Sequence, residues 1–434
     1  MLRHLVHLAS LALIATPALS LAQTALQREI DQRAAAVNAK VVAWRRDIHQ
    51  NPELSGFEER TARLVADHLR ALGLDVRTNV GGHGVVGVLR GGRPGRVVAL
   101  RADMDALPVT ELVDLPFRSR VRATFAGQEV GVMHACGHDN HVAILMGAAE
   151  VLSGIKDRLP GTVVFIFQPA EEGHPQGGGG AERMLRDGVF DDPRVESIFG
   201  LHVGPGPVGA ITYRPGPTMA ASNSFSVTVH GRQSHGARPW DGVDPIVVSA
   251  QIIVGLQTII SRQTDITEIP AIVTVGSLHG GVRSNIIPDS VVMLGTIRTF
   301  DRTQRDSIFA RITRTATHIA ISGGARAAVQ IDSGYIVTRN DEALTAQMLP
   351  TLERVAGKEM VSVVPLHTWA EDFSFFQERV PGLFVFLGVT PRDQNWKTVP
   401  ANHSPLFFAD EAALPVGVRT MASLALDWLS APRR

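Results

Sequence analysis

The stretch MHACGHDNH, Met133 to His141, places the chain's single cysteine, Cys136, and three histidines, His134, His138 and His141, within nine residues. Thiolate and imidazole suit a borderline-soft divalent metal such as Zn²⁺ and argue against Mg²⁺ or Ca²⁺, which prefer oxygen. One cysteine makes no internal disulfide, and a lone thiol is a liability unless it is buried or ligated. The polar neighbours of Cys136 make ligation the better account. An expected helix starting near Asn140 predicts a lowered thiol pKa, and a bound cation would lower it further.

Other candidate ligands sit beyond short apolar runs. Asp103 and Asp105 follow VVAL (97–100), and Glu171 and Glu172 follow TVVFIF (162–167). His202 closes SIFGLHV (197–203), and His403 lies beyond LFVFLG (383–388). Such runs, with VVGVL (85–89), fit strands buried on both faces of a helix-covered, mostly parallel sheet. In open α/β sheets ligands bind beyond the carboxyl ends of the strands, so these segments bring Cys, His, Glu and Asp to one rim. Neighbouring side chains in an extended loop point different ways. One of Glu171 and Glu172 can therefore ligate metal while the other takes a proton from an activated water. The sequence alone leaves open which does which. Singly, Asp103 and Asp105 read as turn or cap residues, and Cys136 with His138 as a structural pair. Their joint occurrence at several strand ends is what favours a metal centre.

The elements that position these residues form an α/β pattern over residues 30–220 and 334–434. Val41 to His49 and Thr61 to Gly73 have amphipathic helical spacing, and HVAILMGAAEVLSGI (141–155) is apolar nearly all round, as a buried helix is. Residues 221–333 follow a different pattern, with alternating strands and two amphipathic helices in the order βαββαβ, a ferredoxin-like unit inserted in the α/β domain. At 434 residues, 44% hydrophobic and 19% charged, the chain is long enough for several domains and ordinary for a globular enzyme. Lys+Arg and Asp+Glu are both 42, which gives no reason to expect nucleic acid or an anionic membrane as partner. Residues 1–22 have Arg3, an apolar run from Leu8 to Leu19 and small residues after it, the layout of a cleaved secretory signal peptide. The run is too short to span a membrane comfortably, and no later uninterrupted apolar run of about 18 residues occurs. The expectation is an exported protein, periplasmic or secreted.

The motifs RRDIHQNPELS (45–55), LRADMDALP (100–108), MHACGHDNH (133–141), QPAEEG (168–173), GLHV (200–203), NIIPD (285–289), AEDFSFF (370–376) and NHSPLF (402–407) occur in this order. Together they resemble metallopeptidase family 20, and within it the amidohydrolase subfamily of hippurate, indole-acetyl-amino-acid and N-acyl-amino-acid hydrolases. The resemblance spans residues 40–430. It implies a catalytic α/β domain interrupted by a ferredoxin-like lid that dimerises, with two divalent ions per subunit: Zn²⁺ or Mn²⁺, with Co²⁺ or Ni²⁺ as further candidates. It implies Cys136 as the bridging ligand and His138, Glu172, His202 and His403 as the others. Glu171 matches the family's general base and Asp105 its supporting aspartate. His235, in GRQSHGARP, matches the lid histidine that stabilises the oxyanion, in its own site or in that of the neighbouring subunit. Asn285 and Arg298 lie where lid residues can contact substrate, Arg298 suiting an α-carboxylate.

The chain departs from the subfamily pattern in the lid. Gln233-Ser234-His235-Gly236-Ala237, with Trp240 after Pro239, stands where Gly-Gly-His-Ala-Ala followed by Pro-His is common. Trp240 reads either as a wall favouring an apolar acyl group or as simple packing. The signal peptide is a second departure, since many bacterial relatives are cytoplasmic. The expected activity is hydrolysis of N-acyl-amino acids. The rivals are a dipeptidase or carboxypeptidase using the same mechanism, and a metal-dependent binding protein that has lost catalysis. The presence of both Glu171 and His235 argues against the last.

Overall fold

Apolar runs without alternation make the centre of the fold. In chain order the elements begin with α1 (Ala15–Gln50), α2 (Glu59–Ala71), β1 (Asp75–Val80), β2 (Gly84–Arg90), β3 (Arg93–Asp103), the hairpin β4 (Arg122–Phe125) and β5 (Gln128–Gly131), and α3 (His138–Ser153). There follow β6 (Pro160–Gln168), α4 (Gly180–Arg186), β7 (Ser197–Pro207) and β8 (Ile211–Tyr213). The computed structural model describes residues 15–432, so the leader expected over residues 1–22 lies, for residues 1–14, outside the described residues.

Next come β9 (Gly216–Met219), β10 (Ala221–His230), β11 (Ser234–His235), α5 (Pro245–Gln263), β12 (Ile272–Gly280) and β13 (Ile286–Ile287). The order continues with β14 (Ser290–Thr299), α6 (Arg302–Ser322), β15 (Arg326–Ser333) and β16 (Thr338–Asn340). The chain ends with α7 (Glu342–Ala356), β17 (Val361–Val363), α8 (Phe373–Gln377), β18 (Gly382–Thr390) and α9 (Leu414–Ser430). Two units result. The first comprises the chain up to Tyr213, Asp341–Val364 and Glu378 onwards; the second comprises Arg214–Asn340 and Pro365–Gln377.

The first unit holds an eight-stranded sheet in the order β1-β2-β6-β3-β7-β18-β8-β17. Its middle strands β6, β3, β7 and β18 run parallel, while β1, β2 and β8 join antiparallel to their inner neighbours. Parallel strands need cover on both faces, and the residues comply: VVFIFQ of β6 and VALRAD of β3 are buried throughout. Helix α3 is buried along almost its whole length, packed between α1 and α9. Helix α1 is longer than its sequence signal. It presents Leu26, Ile30, Ala34, Val37, Val41 and Ile48 to the core, a stripe at three-, four- and seven-residue spacing. Helix α2 stops ahead of Gly73, whose φ of +78° suits glycine.

The second unit contains a four-stranded sheet in the order β12-β14-β10-β15, antiparallel throughout. Each crossover helix, α5 and α6, joins strands separated by one other, which is the ferredoxin-like arrangement. One sheet face packs on these helices through Phe225, Val227, Val229, Met293 and Ile297 against Val248, Ile252, Leu256, Ile308 and Ile312. Asp244 and Asp301 cap the two helices, accepting backbone N–H groups of their first turns. Among the described residues α5 is long and apolar enough to cross a membrane by length and composition. One of its faces is nevertheless core of this unit.

Candidate metal centre

The first unit gathers Cys136, His138, Glu171, Glu172, His202 and His403. Ligand atoms of Cys136, His138 and His202 lie within 4.8 Å of one another, and so do those of Cys136, Glu172 and His403. The two triads share the sulfur. Cys136 Sγ is 3.4 Å from His202 Nε2. His403 Nε2 is 2.9 Å from Glu172 Oε1, yet that oxygen lacks a hydrogen bond of proper geometry. Glu171 joins His138 and Glu172 in a third group of the same tightness.

Backbone geometry sets these positions. Gly137 precedes α3 with φ +94°, and a Cβ there would come within 2.4 Å of Val203 Cγ2. Only glycine lets Cys136 and His138 sit this close to β7. His403 takes the left-handed conformation at φ +70° and donates its N–H to Ala135 O at 2.8 Å. Its neighbour Asn402 donates through Nδ2 to Cys136 O (2.7 Å) and Val203 O (3.1 Å). The NHSPLF turn is thereby tied to both the cysteine loop and β7.

Hydrogen bonds assign the imidazoles. His138 Nδ1 lies 2.9 Å from Asp105 O and 3.2 Å from its Oδ1, while Nε2 is buried without a hydrogen-bond partner. His202 Nδ1 lies 2.7 Å from Val203 O, leaving Nε2 toward the sulfur. An Nδ1–H held by a carbonyl leaves the Nε2 lone pair for a metal. His141 differs. Its Nδ1 meets Asp103 Oδ1 at 2.5 Å, and its Nε2 accepts the Val203 N–H at 2.8 Å, so both nitrogens are used. Asp103 is likewise spent, its Oδ2 accepting from Arg101 at 2.7 Å. Asp105 Oδ2 accepts from Ser55 Oγ (2.6 Å) and from the Glu172 N–H (2.9 Å).

The electrostatics correct one expectation. Burial pushes the Cys136 thiol well up, and Glu172, Glu171 and Asp103 push it further. The expected lowering by the helix N-terminus is overridden, and only a cation's charge would restore it. Burial disfavours a charged His138, but Asp103 and Asp105 outweigh it and raise the pKa to about 10. Burial holds His202 well below its ordinary value, with His141 acting in the same direction. Cys136 is only 7% exposed, so burial and ligation are not alternatives here. A set of thiol, carboxylates and open imidazole nitrogens, buried at Cys136 and His138 and opening to solvent at His403, fits divalent metal, and its sharing of one sulfur fits two ions.

Several supporting roles escaped the sequence reading. Arg101, Asp103 and His141 form one buried chain, and Asn402 clamps the cysteine loop. Arg45, His49, Asp139 and Glu111 form a second buried chain: Arg45 Nε and His49 Nδ1 each lie 2.8 Å from Asp139 Oδ2, and His49 Nε2 lies 3.0 Å from Glu111 Oε1. Their signal was the RRDIHQ motif and the Asp after His138, which spacing alone does not interpret.

The remaining candidates belong to the second unit. β11 pairs with β13, and Gly236 N–H donates to Asn285 O at 2.9 Å, which brings His235 and Asn285 together. Both are exposed. Arg298 stands opposite Ser222 near the far end of β14, whereas Ser290 at its start faces His230. At roughly 3.3 Å per residue, the ends of that strand segment are about 26 Å apart. Arg298 thus lies at the opposite end of β14 from Ser290, and His235 belongs to the separate β11–β13 pair. Trp240 is 73% exposed rather than packed.

A sheet with a donor-lined rim and an inserted ferredoxin-like unit defines a metal-dependent hydrolase of the M20 type. The chain belongs to peptidase family M20/M25/M40, matched over residues 99–427. It is 40% identical over 392 residues to "Thermostable carboxypeptidase 2" of Saccharolobus solfataricus, covering 89% of this chain and 95% of that protein. It is 38% identical to "N-acetyl-L-cysteine deacetylase" of Bacillus subtilis, covering 86% and 85%. Among solved structures it is similar to a dinuclear metal-binding peptidase of the M20 family from Bacillus subtilis. The TM-score is 0.75 at 34% identity, over 91% of this chain and 99% of that one.

Proposed function

We propose that the protein is an exported, dimeric, two-metal amidohydrolase that cleaves N-acyl-amino acids into a carboxylic acid and a free amino acid. Cys136, His138, Glu172, His202 and His403 would hold the ions, with Cys136 shared. When bound, divalent ions polarise an amide carbonyl and make water acidic enough to react near neutral pH. Glu171 takes the proton from the attacking water and returns it to the departing nitrogen as the C–N bond breaks. Asp105 fixes the His138 ring and the Glu172 backbone. His235 donates to the oxyanion, and Arg298 pairs with the substrate carboxylate. The observation that carries this reading is the pair of donor triads sharing the Cys136 sulfur.

The placement of Arg298 on the four-stranded sheet and of His235 on the separate β11–β13 pair supports their serving two different sites, as a dimer would arrange. Exposed apolar side chains on the same unit, including Val247, Val254, Leu278 and Leu294, support burial against a second copy. Export rests on the leader pattern.

A second reading, a carboxypeptidase or dipeptidase, is favoured by the identity to the archaeal carboxypeptidase. A panel of N-acetyl-, N-benzoyl- and indole-acetyl-amino acids against free-amine dipeptides, with added Zn²⁺, Mn²⁺ or Co²⁺, separates the two. Preference for the acylated set is expected; a preference for dipeptides would transfer the assignment. Glu171→Ala should lower turnover by about 10²–10⁴-fold while metal and substrate still bind, and an unchanged rate would remove Glu171 as the base.

A further inference from the structure

We infer that Glu58, with the turn that carries it, is a positioning residue for the Glu171–Glu172 loop. This rests on the reading of Glu171 as the general base. Glu58 is wholly buried at the start of α2. Its Oε1 accepts the N–H of Gly56 at 2.6 Å and the N–H of Ala170 at 2.9 Å, while Oε2 has no hydrogen-bond partner. Ala170 is the residue immediately before Glu171, and its φ is +51°. An L-residue other than glycine persists in that conformation only when its surroundings impose it. The Ala170 carbonyl closes the loop by accepting from Gly180 at 3.0 Å. The buried carboxyl of Glu58 holds the N–H side of the same residue.

The turn also reaches the other flank of Glu171. Ser55 Oγ donates to Asp105 Oδ2 at 2.6 Å, and that oxygen accepts the N–H of Glu172 at 2.9 Å. The backbone N–H groups on either side of Glu171 are therefore both fixed from residues 55–58, one directly and one through Asp105. The turn is itself fastened. Ala106 N–H donates to Glu53 O at 2.8 Å, and the Glu53 carboxylate accepts from Arg60 and Thr61 in the first turn of α2, each at 2.8 Å. Gly56, at φ +81°, lies so close to the loop that a Cβ would be 2.9 Å from Pro175 Cδ. A misplacement of about 1 Å in such a group can cost about 100-fold in rate.

Burial, with the Asp105 charge adding, raises Glu58 to about 8. Glutamine, neutral and equally able to accept both N–H bonds, is the conservative replacement. Leucine fills similar space and accepts nothing.

The test compares wild type, Glu58→Gln, Glu58→Leu and Ser55→Ala for kcat, KM, bound metal, and amide hydrogen exchange of residues 168–173. Glu58→Leu is expected to lose about 100-fold in kcat with KM within about threefold and metal retained. Glu58→Gln should stay within about threefold of wild type, and the loop should exchange faster only in the leucine variant. Ser55→Ala, which cuts one arm and leaves α2 intact, should lower kcat about tenfold with metal retained; it carries the test if Glu58→Leu does not fold. Wild-type kcat in Glu58→Leu and Ser55→Ala, loss of metal in proportion to activity, or Glu58→Gln as impaired as Glu58→Leu would each overturn the inference. If wild type hydrolyses no N-acyl-amino acid, the base reading fails separately. The exchange comparison then decides: unchanged loop protection in Glu58→Leu would overturn the positioning role, and its selective loss would support it.

Discussion

At the scale of the residue, Cys136 and His138 are held in the wrong protonation states for ligation until a cation arrives. Burial and carboxylates push the thiol up, and Asp103 and Asp105 outweigh burial to keep His138 protonated to about pH 10. Metal binding must displace these protons, so affinity should climb with pH and binding should release acid. Metal affinity titrated between pH 6 and 9 is expected to rise by up to about tenfold per pH unit for each proton displaced. Affinity independent of pH over that range would mean that neither group is a ligand. The ligand types were legible in the sequence because thiol, imidazole and carboxylate declare their chemistry. The division between ligating His138 and structural His141 was not. It depends on what each Nδ1 meets, a backbone carbonyl in one case and the Asp103 carboxylate in the other, and such contacts exist only in the folded chain.

At the scale of the element, the centre's geometry is held by the start of α3, and α1 pins that start through Asp139. Arg45 and Asp139 are both almost fully buried, and the only other carboxylate that Arg45 reaches among the described residues is Glu411, at 3.3 Å, so removing Asp139 leaves a poorly compensated buried charge, at a cost of up to about 3–5 kcal/mol. Asp139→Asn should lower the melting temperature markedly and loosen His138; an unchanged melting temperature would contradict the bracing role. The pH dependence has two parts. Burial works against charge on both groups. Asp139 and Glu111 nevertheless raise His49, so its contribution is fully present below about pH 6.5, its unfolded value, and fades as pH rises through its raised folded value. Arg45 and His49 hold Asp139 low, so its contribution is present above about pH 3.9 and fades as pH falls through its depressed value. Urea unfolding of wild type against His49→Gln should show a larger stability gap at pH 6 than at pH 9. A gap that grows with pH would reverse the sign of the His49 contribution. The strands of the sheet were readable as unbroken apolar runs, and α3 as an all-round apolar stretch. The full length of α1 was not, because its core stripe is diluted with Ala, Gln and Arg on the other faces.

At the scale of the whole molecule, the order βαββαβ was enough to identify the inserted unit, since strand alternation and helical periodicity differ plainly from the flanking pattern. The small pairings β9–β16 and β11–β13 were not readable, being two to four residues long and set by tertiary register. The exposed Val254, at 68%, is a probe of assembly. Val254→Asp should shift a dimer toward monomer in sedimentation velocity without lowering metal content, whereas a wild-type monomer would remove the shared-site reading of His235. The most direct test of the central claim is a titration of metal-free protein with Zn²⁺ or Mn²⁺, following release of free amino acid from an N-acyl-amino acid. Activity that rises to a plateau near about two equivalents per chain, and fails to do so in Cys136→Ser, is the predicted result. A plateau at one equivalent, or a chain that fills with metal and releases no amino acid, would contradict a shared-cysteine two-metal amidohydrolase.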